Sequence, residues 1–209
     1  MLKVDSLIFD LDGTLWDSTD GIIETWNELL KGYPETDKVV TREEMCSNFG
    51  RPLDEIGRRM FPDLTPEKQK QLMDECGDKE IIYLSEHGGI LYPQTEEVLK
   101  ALSDKIPLFI VSNCQAGYIQ SFYAGHDTGK YFKDCECIGV TGLSKGENIR
   151  LVIERNGLKA PAYMGDTQGD ADAARAAGVP FIYAAYGFGE VDGYDEKVDS
   201  FAQLPGIIG

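Results

Sequence analysis

The chain has 209 residues, 42% of them apolar and 27% charged, with a formal net charge of -16. The apolar share excludes a disordered chain, and no run approaches the roughly 20 apolar residues of a membrane helix, so no membrane partner is expected. The acidity repels phosphate backbones, which argues against a nucleic-acid partner, and any anionic ligand then needs a local cation to reverse the field.

Leu7-Ile8-Phe9 is a short apolar run that ends at Asp10. Runs without polar alternation suit strands buried on both faces. Ile22, Ile23, Trp26, Leu29 and Leu30 then follow the helical period up to Gly32 and Pro34. Thr41 with Glu44 forms a capping box, Leu53, Ile56 and Met60 mark a short helix, and Thr65-Pro66 opens a longer one carrying Leu72, Cys76 and Leu84. Helices with no strand between them, inserted after the first strand, read as a separate domain with Gly88-Gly89 as its return hinge.

Thr95 is expected to cap a helix carrying Val98, Leu99 and Leu102. Leu108 to Val111 form a second apolar run, ending at Ser112, and Cys137-Ile138-Gly139-Val140 a weaker one. Ser144 and Glu147 box the start of a helix with Ile149, Val152 and Ile153, and Gly157 stops it. Ala162-Tyr163-Met164 ends at Gly165-Asp166, the alanine-rich stretch 170–177 stops at Gly178, and Pro180 to Tyr183 form the last run. Alternating strands and helices predict an α/β fold, a doubly wound and mostly parallel sheet. Residues 1–16 and 88–209 are assigned to that core, and 17–87 to an inserted α-helical cap.

The five cysteines, Cys46, Cys76, Cys114, Cys135 and Cys137, are too scattered for a disulfide framework, and the last two lack a second pair for zinc. With no signal-like segment at Met1 to Asp5, a reduced, cytoplasmic protein is expected. His87 and His126 lack ligand spacing, and Trp16, Trp26 and Phe49 read as core.

Asp10, Ser112 and Asp166 each follow an apolar run directly. In an open parallel sheet ligands bind beyond the carboxyl ends of the strands, so these three distant residues are expected to converge. In Asp10-Leu11-Asp12-Gly13-Thr14 two carboxylates stand two residues apart, which calls for a cation or a shared proton. Hard oxygen donors suit magnesium, and a carboxylate can attack phosphorus. Arg51, between Gly50 and Pro52, is either an exposed arginine joining two helices or a clamp for a phosphate or carboxylate. Gly187-Phe188-Gly189 reads as a turn that could edge the pocket.

Four segments in order carry a family resemblance: Phe9-Asp10-Leu11-Asp12-Gly13-Thr14-Leu15, Ile110-Val111-Ser112-Asn113, Lys145 after Ser144, and Gly165-Asp166-Thr167-Gln168-Gly169-Asp170. The chain resembles the haloacid dehalogenase-like hydrolases, in particular their phosphoglycolate-phosphatase-like branch. That resemblance implies a magnesium-dependent phosphatase with Asp10 as nucleophile and metal ligand. Asp12 would be the general acid and base, its carbonyl binding the metal. Ser112 would donate to the transferring phosphoryl group and Lys145 would neutralise charge. Asp166 would complete the metal site, with Asp170 nearby as a metal-site residue that acts from behind the direct ligands or through water. Thr14, Asn113 and Arg51 join Ser112 and Lys145 as substrate-binding residues. An acid at position 12 fits phosphate esters, whose leaving oxygen needs a proton, better than the dehalogenases or phosphonatases of the same superfamily. The implied partner is a small phosphorylated metabolite, and the protein a monomer or homodimer. A sugar phosphomutase, and a non-catalytic binding protein on the same fold, are the alternatives.

Overall fold

The computed structural model describes residues 1–209. In chain order the elements are β1 (Ser6–Phe9), β2 (Trp16–Asp17), α1 (Thr19–Leu30), α2 (Arg42–Cys46), α3 (Leu53–Met60), α4 (Pro66–His87), β3 (Ile90–Leu91), α5 (Thr95–Ser103), β4 (Leu108–Ser112), α6 (Tyr118–His126), β5 (Phe132–Cys137), α7 (Ile138–Thr141), α8 (Lys145–Asn156), β6 (Pro161–Gly165), α9 (Gln168–Ala177), β7 (Phe181–Ala184) and β8 (Glu196–Val198). Six strands form one sheet in the order β5-β4-β1-β6-β7-β8, and every pairing in it is parallel.

The apolar runs form strands because both of their faces are covered. On β1, Leu7 and Phe9 enter the larger core, while Ile8 enters a second core with Ile149 and Val152 of α8 and Ala171 and Ala174 of α9. Successive strand residues point to opposite faces, so an unbroken apolar run serves two layers. This is the expected doubly wound α/β architecture. The chain crosses from one side of β1 to the other between β4 and β6. The carboxyl ends beside that crossover are where such sheets bind ligands.

Helices α1 to α4 lie between β2 and β3, which pair antiparallel through Trp16–Leu91 and Asp17–Ile90. The sequence reading missed this two-residue ribbon, because two residues give no measurable period. Glycines let α4 sit close to α6: a Cβ on Gly125 would lie 2.6 Å from the Leu84 carbonyl oxygen and 2.8 Å from Gly88 Cα. Gly88 itself ends α4 at φ +71°, a conformation that favours glycine.

Three local expectations need correction. The run Cys137 to Val140 is not a strand: β5 ends at Cys137 and α7 follows. The Gly139 amide donates to the Cys114 carbonyl, and a Cβ there would meet Ala116 N at 2.3 Å, so close approach to the loop after β4 sets the conformation. Thr95 does not cap α5: Gln94 holds the N-cap position without a side-chain cap bond, and the Thr95 hydroxyl donates to the Leu15 carbonyl at 3.4 Å. Helix α9 begins at Gln168, two residues before the expected start, because Thr167 and Asp170 form a capping box.

Candidate active site

Asp10, Ser112 and Asp166 stand at the carboxyl ends of β1, β4 and β6, and all three are buried. The Asp10 amide donates to the Met164 carbonyl at 2.8 Å, which ties the turn after β1 to β6. Asp10, Asp166 and Asp170 each offer an oxygen within 4.8 Å of the others.

Lys145 is the cation of this cluster. It is the first residue of α8, held there by the capping box in which Ser144 Oγ accepts from the Glu147 amide at 3.4 Å. Its Nζ donates to Asp170 Oδ1 at 2.6 Å and lies 3.0 Å from Asp10 Oδ1. The second contact is an ion pair without hydrogen-bond alignment, so Asp10 Oδ1 is left with no hydrogen-bond partner; Asp166 Oδ1 has none either. Burial opposes the Lys145 ammonium, but Asp10 and Asp170 outweigh it and hold its pKa above the ordinary lysine value. Burial pushes the Asp10 carboxyl up against the opposing pull of Lys145, and pushes Asp166 up with help from Asp170 and Asp10. Three buried carboxyls around one ammonium leave uncompensated negative charge. Orphaned hard oxygens in that setting fit a magnesium ion.

Asp170 differs from the other two. Its Oδ1 accepts from Lys145 and, at 3.4 Å, from Tyr163; its Oδ2 accepts from Thr167 N at 3.0 Å and Thr167 Oγ1 at 2.6 Å. Asp170 is thus committed to orienting Lys145 and to starting α9.

Backbone room around Asp166 depends on two glycines. Gly13 has φ +76°, and a Cβ there would lie 2.1 Å from Asp166 Oδ2. A Cβ on Gly187 would lie 2.3 Å from Asp166 Cβ, while the next amide, Phe188 N, donates to Asp166 Oδ2 at 2.7 Å. The 187–189 turn therefore holds Asp166 directly.

Asp12 faces a pocket of about 50 Å³ between the sheet edge and the helices α1 to α4, together with Asp10, Ser112, Asn113 and Arg51. Its Oδ1 accepts three bonds, from Trp16 Nε1 at 2.9 Å, Ser18 Oγ at 2.6 Å and Tyr118 OH at 2.8 Å. Burial raises its pKa to about 6, against the lowering effect of Ser18, Tyr118 and Trp16. A carboxyl tuned there can give and take a proton near neutral pH.

Most of the residues singled out in the sequence thus meet. Asn113 lines the pocket, but its Nδ2 donates to the Gly50 carbonyl at 2.8 Å, joining the loop after β4 to the loop before α3. Arg51 lines the pocket while paired with Glu55 Oε1 at 2.5 Å, and its buried Nε has no partner. Thr14 stands apart: it is fully buried, outside the pocket lining, and its carbonyl accepts from Tyr186 OH at 2.7 Å. Trp16 is core as expected, whereas Trp26 and Phe49 also line the pocket. Tyr118, Gln115 and Glu80 line it too and were not anticipated, because nothing in their local sequence marks them.

The model of the haloacid dehalogenase-like hydrolase family matches residues 7–184. Phosphoglycolate phosphatase of Escherichia coli (strain K12) is 28% identical over 219 residues, spanning 91% of this chain and 83% of its own length. Phosphoglycolate phosphatase of Salmonella typhi is 26% identical over 239 residues, spanning 99% of this chain and 93% of its own. Among solved structures, a haloacid dehalogenase-like hydrolase from Bacteroides fragilis superposes with TM-score 0.83 and 26% identity, over 97% of this chain and 100% of that one. A predicted phosphoglycolate phosphatase from Haemophilus somnus gives TM-score 0.86 at 23% identity, over 99% of both chains, a likeness of fold alone.

Proposed function

The chain belongs to the haloacid dehalogenase-like hydrolases, and on that premise we propose that it is a magnesium-dependent phosphatase that forms an aspartyl-phosphate on Asp10. The observation that carries this reading is the buried set Asp10, Asp166 and Lys145 standing beside Asp12 and Ser112 at one sheet edge.

In the first step an Asp10 carboxylate oxygen bonds to phosphorus as the bond from phosphorus to the leaving oxygen breaks. Asp12 gives its proton to that oxygen, so an alcohol departs. In the second step Asp12, now ionised, takes a proton from water as the water oxygen bonds to phosphorus. The bond to Asp10 breaks, inorganic phosphate leaves, and both carboxyls return to their starting forms. Ser112 donates a hydrogen bond to the phosphoryl oxygens, and Lys145 balances the charge gathering on them and on Asp10. Asp10, Asp166 and the Asp12 carbonyl are the groups to hold magnesium, which when bound supplies further positive charge to the phosphoryl group. Asp170 positions Lys145. Residues 17–87 act as a cap that excludes bulk water over the pocket.

The relatives named phosphoglycolate phosphatase make a small phosphate monoester the substrate class to test. The experiment is phosphate release from a panel of such esters with magnesium and with a chelator. Magnesium-dependent release is expected. Absence of release from every ester, with conversion of a sugar 1-phosphate to the 6-phosphate instead, would replace this reading with a mutase.

A further inference from the structure

Two charged groups in the pocket, Arg51 and Glu80, have no part in the chemistry above. Glu80, on α4, is 3% exposed and lines the pocket. No cation holds it. Its Oε2 accepts from Trp26 Nε1 at 2.7 Å, and its Oε1 from Gln115 Nε2. One donor comes from α1 and the other from the loop after β4, so both sides of the pocket fix the carboxyl in place. Each oxygen accepts a single bond from these partners and keeps a lone pair for another donor.

Glu80 and Asp12 line the same small pocket. Burial, first, and then the charges of Asp12 and Glu80 raise the Tyr118 hydroxyl pKa, and that hydroxyl is the one bonded to Asp12. Burial likewise pushes Glu80 up to about 8, with Gln115 and Trp26 pulling it down and Asp12 adding to the rise.

Resting on the phosphatase reading, we propose that Glu80 determines specificity: it selects a leaving group that presents a hydrogen-bond donor, a hydroxyl or an amine, and rejects one that carries a second negative charge. Asp12 protonates the leaving oxygen, and Glu80 lines the same small pocket, so the rest of the alcohol comes within reach of Glu80. Where Glu80 is ionised, above about pH 8, a carboxylate placed there meets two carboxylates in a nearly dry space, where like charges are costly. A hydroxyl or ammonium fills the open lone pair of Glu80 instead. Arg51 is the single basic residue lining the pocket, and it is already shared with Glu55. The chain would then part from its phosphoglycolate-hydrolysing relatives, since glycolate leaves with a carboxylate.

The test compares kcat/KM, with magnesium and above about pH 8 where Glu80 is ionised, for phosphoglycolate, 2-hydroxyethyl phosphate and 2-aminoethyl phosphate, in the wild type and in Glu80→Gln. p-Nitrophenyl phosphate serves as a reference ester. The wild type is expected to favour the hydroxyl or amine ester over phosphoglycolate by on the order of tenfold or more. The hydroxyl and amine arms separate a neutral donor from a cationic one. Glu80→Gln, its fold checked by circular dichroism, is expected to shrink that ratio by about tenfold. A wild type that prefers phosphoglycolate overturns the proposal even if the variant does not fold, and so does an unchanged ratio in a folded variant. No release from any ester, p-nitrophenyl phosphate included, overturns the phosphatase reading and this inference with it.

Discussion

Asp166 sits in a space that two glycines leave open, and a methyl group on either one would collide with it. Gly13→Ala adds strain to the collision, because its φ of +76° disfavours any side chain. Turnover of Gly13→Ala is expected to fall at least tenfold with the fold retained by circular dichroism, since a small displacement at a reacting site is enough for that loss; wild-type turnover would mean that Asp166 has no fixed place in the reaction. The position of Asp166 was legible because it follows an apolar run, and Lys145 only through its place in the ordered motifs of the family resemblance. Glu80 was not legible. It lies in a helix rich in exposed Lys, Glu and Asp, and only the packing of that helix shows which carboxyl turns inward. Its burial has a separate consequence for stability. The folded pKa, about 8, lies above the ordinary value of 4.5, so the unfolded chain binds fewer protons between those two pH values. Stability contributed at this site is therefore greatest below about pH 4.5 and declines as pH rises towards 8. Urea unfolding at pH 5 and pH 8 should show Glu80→Gln gaining on the wild type by up to a few kcal/mol at the higher pH. A gap that does not change with pH would contradict the assignment.

At the scale of elements, the helix starts carry the site. Helix α8 begins at Lys145 and α9 at Gln168, each behind a capping box. Ser144→Ala should cost about 1 kcal/mol in urea unfolding and loosen the Lys145 contacts; an effect confined to activity, with stability unchanged, would mean that the cap does not hold the helix. The S-x-x-E pattern made α8 readable in advance. Strand β5 was read in the wrong place because it pairs only with β4 and alternates Asp134 and Glu136 with cysteines. Arg155 of α8 covers those carboxylates, with Nε 2.8 Å from Asp134 Oδ2 and an Nη 3.0 Å from Glu136 Oε2. An edge strand satisfied by ion pairs has no apolar run to announce it.

At the scale of the whole molecule, a net charge of -16 surrounds a pocket meant for an anion. On the proposed reading, a bound cation and Lys145 reverse the field locally. Magnesium should therefore stabilise the folded chain, by about 2.7 kcal/mol at a hundred times its Kd, and raise Tm in a way that a chelator reverses. A Tm indifferent to magnesium in the wild type would remove the metal from the account. That helices, with no strand among them, fill the stretch between β2 and β3 was legible from their helical periods. Their closure over the sheet edge was not, because it rests on contacts between residues far apart, such as Asn113 with the Gly50 carbonyl. The central claim is the covalent role of Asp10, and Asp10→Asn keeps its shape while removing its nucleophile. Phosphate release by this variant, with magnesium and the best ester of the panel, is predicted to fall by several orders of magnitude. A near-normal rate would contradict the aspartyl-phosphate mechanism.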